Sequence, residues 1–194
     1  MLKKTIAALL ASGVLFTCSP IALAYDSLTY LYGGTTATYL ARMEKTADNL
    51  NVVSPDYYET ANNGGVIYTK MPDPLLIAAM HDKNIKVVSF FSNHWNRDQA
   101  RAMLERRVEA AEFLSSSVVS YGLDGIDIDL QNINENDRDN FSDFIRLLSE
   151  KLPKEKNLTV CQAHFSQSAI LSIFRLFYRQ EQSLCCFCFR TLAG

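Results

Sequence analysis

Between residues 25 and 160 the chain has no cysteine at all, so that stretch must be held by packing and hydrogen bonds and carries no thiol chemistry. Its five cysteines are Cys18, Cys161, Cys185, Cys186 and Cys188. The last three form a Cys-Cys-Phe-Cys run without the paired C-x-x-C spacing of a zinc site. In an exported chain the last four would allow two disulfides. His81, His94 and His164 show no i, i+4 pairing, which argues against a histidine metal site. No metal and no cofactor is expected. Basic residues are not in surplus either. The 19 Lys and Arg face 21 Asp and Glu, a net charge of −2, which gives no general attraction for nucleic acid or anionic membranes.

A membrane span is also missing. One apolar run, residues 5–16, follows Lys3 and Lys4 and precedes Ala22-Leu23-Ala24. It is too short and wrongly flanked to cross a bilayer, and it predicts a secretory signal peptide over residues 1–24. Lipid attachment at Cys18 is the alternative, but Thr17 before the cysteine fits that signal poorly. Removing the segment takes away two lysines and no acid, moving the net charge from −2 to −4. A secreted or cell-wall-associated protein is expected, and at 194 residues one domain, monomeric if folded. The tail, residues 161–194, lacks proline and has glycine only at Gly194, while Phe and Cys crowd together. It reads as foreign to the fold, from a shifted reading frame or a truncated gene. The bland alternative is an amphipathic C-terminal helix.

What remains alternates between strands and helices. Residues 28–32 form a short strand ending at Gly33-Gly34, residues 38–46 a helix, and residues 50–53 a strand stopped by Ser54-Pro55. Asn62-Asn63-Gly64-Gly65 signals a turn with a hairpin or loop beyond it. Asp73 and Pro74 cap and open a helix to about Lys83. Residues 85–91 are the β-branched and aromatic run of a buried parallel strand. Leu104, Val108, Ala111, Leu114 and Val118 share one face of a long helix, and Phe141, Phe144, Ile145, Leu148 and Leu152 one face of another. Residues 158–160 open a further strand. This succession predicts a parallel sheet with crossover helices.

Within it, residues 121–132, Y-G-L-D-G-I-D-I-D-L-Q-N, set Asp127, Asp129 and Gln131 alternating with Ile126, Ile128 and Leu130. In a strand, such alternate residues share a face about 6.6 Å apart. Like charges on a buried strand cost stability and mark a site. The row resembles the D-x-x-D-x-D-x-E signature of the family 18 glycoside hydrolases, read as Asp124, Asp127, Asp129 and Gln131. The resemblance covers about residues 28–160 and implies a (β/α)8 TIM barrel. About five of its eight strands are present, so the barrel is expected to be incomplete. It also implies catalysis assisted by the substrate's acetamido group, with Asp129 orienting that group and Asp127 supporting Asp129. The family's acid, a glutamate, is replaced by Gln131. A carboxamide hydrogen-bonds a glycosidic oxygen but has no proton to give it at neutral pH.

Barrel sites lie at the C-terminal ends of the strands, which adds Tyr32, Asn93, Trp95 and Asn132 as substrate-binding candidates. Trp95 would stack on a sugar or wedge its loop. Asp-x-Asp-x-Gln makes a poor calcium loop, since it lacks the glycine and the closing glutamate. His81 reads as a helix-surface residue, and residues 134–139 as a solvated helix start. Asn157-Leu158-Thr159 matches a glycosylation acceptor but starts a core strand. The resemblance implies a secreted protein for chitin or peptidoglycan, polymers containing N-acetylglucosamine, with activity lost or strongly reduced. A chitinase-like lectin and a non-functional fragment are the alternatives.

Overall fold

The computed structural model describes residues 27–46 and 50–160. The readings made on residues 1–24 and on the 161–194 tail, with every cysteine, lie outside the described residues. Strand β1 is Leu28–Leu31, helix α1 is Thr36–Thr46 and strand β2 is Val52–Thr60. Next come β3 at Val66–Tyr68, α2 at Pro74–His81 and β4 at Lys86–Ser92. Helices α3 at Arg97–Glu105 and α4 at Arg107–Ser120 lead into β5 at Gly125–Asp129. A short 3-10 turn, Glu135–Asp137, precedes α5 at Arg138–Lys151 and β6 at Asn157–Val160.

Five strands run parallel in the order β1-β2-β4-β5-β6, and β3 folds back antiparallel on β2. This is the parallel sheet that the alternation predicts and the partial TIM barrel that the resemblance implies. One face of the sheet is aliphatic: Val53, Val87, Phe91, Ile126, Ile128 and Leu158 join a core with Met80, Leu114, Phe144 and Leu148 from the helices. The capping prediction holds, because Asp73 accepts from the Leu75 amide at 2.9 Å and Pro74 opens α2. Gly125 begins β5 where a Cβ would lie 2.1 Å from the Asn157 carbonyl oxygen. Only glycine lets β6 come that close.

Three expectations need correcting. The second strand does not stop at Ser54-Pro55 but runs on to Thr60. Pro55 is opposite Leu31, the last residue of β1, so its missing N–H falls where that ladder ends. The Ser89 hydroxyl bonds its carbonyl at 3.0 Å, and the ladder to β4 shifts register between Asp56 and Tyr58. The single long helix is two helices. Arg106, at φ −107° and ψ 27°, breaks the rotation between α3 and α4 and turns Val108 to solvent at 51% exposure. Residues 134–139 are not merely a solvated start, because Asp137 is buried and its Oδ1 accepts from Arg101 Nε at 2.7 Å. The surface reading of His81 holds: it closes α2 exposed, and its Nε2 lies 2.7 Å from Asp124 Oδ2, which accepts from the Val87 amide as well.

Candidate active site

Parallel register carries one set of side chains across the other face of the sheet. Tyr30 is opposite Ser54, Asp56 opposite Phe90, and Phe90 opposite Asp127, which is opposite Thr159. One step nearer the C-terminal ends, Glu59, Ser92 and Asp129 form the next layer. Paired residues point to the same side of a sheet. This inner face is therefore polar and acidic, the opposite of the aliphatic face that packs on the helices.

Asp127 is buried and held from both sides. The Tyr30 hydroxyl donates to its Oδ2 at 2.9 Å and the Thr159 hydroxyl to its Oδ1 at 2.5 Å. Asp129 ends β5, and Gln131 lies just past the strand, where its Nε2 donates to Asp129 Oδ1. Burial pushes the Asp129 carboxyl up to about 6; the Gln131 amide pulls it down, the Asp127 charge adds to the rise and His94 opposes it. The alternation thus brings all three polar side chains of the row together, as predicted, while Ile126, Ile128 and Leu130 are buried behind them.

Loops after β4 and β5 fix the far end of the row. Asn93 is fully buried, and its carboxamide is taken up by backbone groups. Its Oδ1 accepts from the Gln131 amide at 2.7 Å, and its Nδ2 donates to the Gln131 carbonyl at 2.8 Å. Arg97 donates to the carbonyl and side-chain oxygens of Asn132 at 2.5 and 2.7 Å, and Asn132 Nδ2 donates to the Trp95 carbonyl at 3.2 Å. Asn132 is therefore a loop tie as well. His94, Trp95 and Asn132 all have positive φ, at 45°, 66° and 62°. Non-glycine residues take that conformation only when their surroundings hold them there, commonly at functional sites. Trp95 is 62% exposed in this loop. Tyr32 is half exposed, with its ring centroid 5.5 Å from that of Phe90.

Sequence reasoning missed the contribution of β2. Asp56 and Glu59 share the inner face, and His94 Nε2 lies 3.2 Å from Glu59 Oε2. Burial raises the Asp56 carboxyl above its ordinary range; His94 and Lys70 oppose this and Glu59 adds to it. Among the described residues, Ser54 Oγ and Asp56 Oδ1 are buried without a hydrogen-bond partner. The period-2 spacing of Ser54 and Asp56 carries the signal, but ending the strand at Pro55 hides it. No group of three or more His, Cys, Asp or Glu among the described residues is arranged to hold a metal ion.

This fold is glycoside-hydrolase-like, since solved structures similar to it include chitinases and spore cortex-lytic enzymes. A chitinase from Chromobacterium violaceum matches at 27% identity and TM-score 0.63, over 75% of this chain and 48% of that one. The spore cortex-lytic enzyme SleL of Bacillus cereus matches at 15% identity and TM-score 0.62, over 72% and 34%. A GH18 chitinase from Pseudoalteromonas aurantia matches at 16% identity and TM-score 0.62, over 80% and 64%. The chain thus spans less than two thirds of the length of each. No family model and no curated protein matches. No helix among the described residues is long and apolar enough to cross a membrane.

Proposed function

We propose that the chain is a secreted relative of the family 18 glycoside hydrolases that binds polymers of β-linked N-acetylglucosamine, chitin or peptidoglycan, and hydrolyses them poorly or not at all. One observation carries this reading. In a chitinase-like fold, Asp127 and Asp129 occupy the inner face at the strand ends, and the next position of the row is Gln131, bonded to Asp129. In this reading Asp129 accepts from an acetamido N–H, and the Tyr30 and Thr159 bonds that hold Asp127 support it. Gln131 offers a hydrogen bond to a glycosidic oxygen but no proton, which removes the ~10²–10⁴-fold that general acid catalysis typically contributes.

Binding and turnover separate this reading from its rivals. The chain has a single tryptophan, Trp95, whose loop is tied to Asn132 after the acidic row, so its fluorescence is the probe for binding there. N-acetylglucosamine oligomers should change it saturably while product release stays near background. Gln131→Glu should restore hydrolysis when residues beyond 160 are replaced by the C-terminal half of a family 18 chitinase, because proton donation works only on a bond already held in place. A lectin reading shares the binding but not the rescue, and a non-functional fragment predicts neither.

A further inference from the structure

Four carboxyl groups share the inner face, and three of them have protein partners. Asp127 is held by Tyr30 and Thr159, Asp129 by Gln131, and Glu59 by His94. Asp56 differs, because its Oδ1 is buried without a partner among the described residues. Ser54, two residues earlier on the same strand and face, is fully buried and its Oγ also has no partner there. Leaving such groups unsatisfied costs stability, and structures tolerate that mainly at functional sites. Two of them side by side on one strand face mark a place built for a polar guest.

The charge around them says which guest. Asp56, Glu59, Asp127 and Asp129 outnumber the basic groups that act on this face, His94 and Lys70. His94 is already paired with Glu59, and Lys70 is exposed with its Nζ directed to the Gly34 carbonyl. Arg97, the first residue of α3, is engaged with Asn132. An anionic substituent entering here meets uncompensated carboxylates, whereas an ammonium meets acceptors.

We propose that Ser54 and Asp56 form a subsite for the free amine of a deacetylated amino sugar, so that the glycan bound is a neutral to cationic chain of chitin type and not the lactyl-bearing strand of peptidoglycan. This rests on the glycan-binding reading above and narrows it. The ammonium donates to Asp56, with Ser54 behind it as the second acceptor. Asp56 binds; it takes no part in bond cleavage.

The test is a Trp95 fluorescence titration of the full chain with three probes: N-acetylglucosamine oligomers, glucosamine oligomers and lactyl-bearing peptidoglycan oligomers of equal length. Glucosamine oligomers should bind about tenfold more tightly than their acetylated counterparts, equivalent to one favourable charge pair of about 1.4 kcal/mol. Peptidoglycan oligomers should bind most weakly. The preference for glucosamine should shrink as salt rises and vanish in Asp56→Asn. If that variant does not fold, Glu59→Gln, on the partly exposed rim, should reduce the preference instead. Acetylated and glucosamine oligomers binding equally, or peptidoglycan binding best, overturns the subsite while leaving glycan binding intact. No binding of any probe overturns the glycan reading itself.

Discussion

Asn93 holds Gln131 by both ends of its backbone: Oδ1 accepts from the Gln131 amide at 2.7 Å and Nδ2 donates to its carbonyl at 2.8 Å. One buried carboxamide thus joins the loop after β4 to the end of the acidic row and sets where position 131 points. Asn93→Ala leaves the partly buried N–H and carbonyl of Gln131 without that partner. A loss of about 2–4 kcal/mol is expected, read as a lower denaturation midpoint in urea at unchanged m. Asn93→Asp keeps the acceptor and loses only the donor, so it should fall between Asn93→Ala and the unmodified chain.

The acidic row has a pH signature. Asp129 titrates at about 6 against an ordinary 3.8 because it is buried, with the Asp127 charge adding to the rise. Side-chain NMR should show Asp129 moving down in Asp127→Asn, which removes the like charge, and up in Gln131→Ala, which removes the amide donor. The linkage sign follows. The folded state holds this proton more tightly than the unfolded chain does, so the Asp129 contribution favours folding at low pH and is lost as pH rises from about 4 to about 6. An Asp129 curve centred near 4 and unmoved by either variant would mean that the row faces water.

Asp124, the first residue of the D-x-x-D-x-D row, works at the opposite end of the strand from the site. Its Oδ2 accepts from the Val87 amide at 2.8 Å and lies 2.7 Å from His81 Nε2. Asp124→Ala should cost about 1–3 kcal/mol, since it deprives a strand amide of its acceptor. His81→Ala removes only a partly exposed partner and should cost less than about 1 kcal/mol. Equal losses in thermal melts of the two variants would contradict this division of labour.

Glycine substitutions separate crowding from backbone strain. Gly125→Ala places a Cβ 2.1 Å from the Asn157 carbonyl oxygen, whereas the position of a Cβ at Gly122, at φ +67°, has nothing within 4 Å. Gly122→Ala should therefore cost about 1 kcal/mol from its left-handed backbone. Gly125→Ala must push β6 away from β5 and should destabilise more, with the amides of Ile126 and Leu158 losing hydrogen-exchange protection together.

The parallel strands, the α2 cap and the two faces of β5 were legible because each follows from local period, capping chemistry and alternation at residues such as Asp73, Ile126 and Asp127. The β2 extension was not, because Pro55 forbids a ladder bond only where a neighbour exists to receive one, and β1 ends opposite it. Arg106 gave no breaker signal in sequence, so the α3–α4 junction was hidden and Val108 was placed on the wrong face. For the site, the pattern gave Asp127, Asp129 and Gln131. It could not reveal that Asn93 and Asn132 are tied to backbone and to Arg97, or that β2 adds Asp56 and Glu59. Those facts depend on which strands lie side by side.

The most direct test of the central claim is one experiment on the unmodified 194-residue chain. N-acetylglucosamine oligomers are titrated while Trp95 fluorescence and released reducing ends are recorded on the same sample. The account predicts a saturable fluorescence change with product at background, because Gln131 leaves the glycan held beside Asp129 with no acid to cleave it. Hydrolysis at the rate of ordinary chitinases would contradict it and move the acid role to another carboxyl, and the absence of any saturable change would contradict it at the first step.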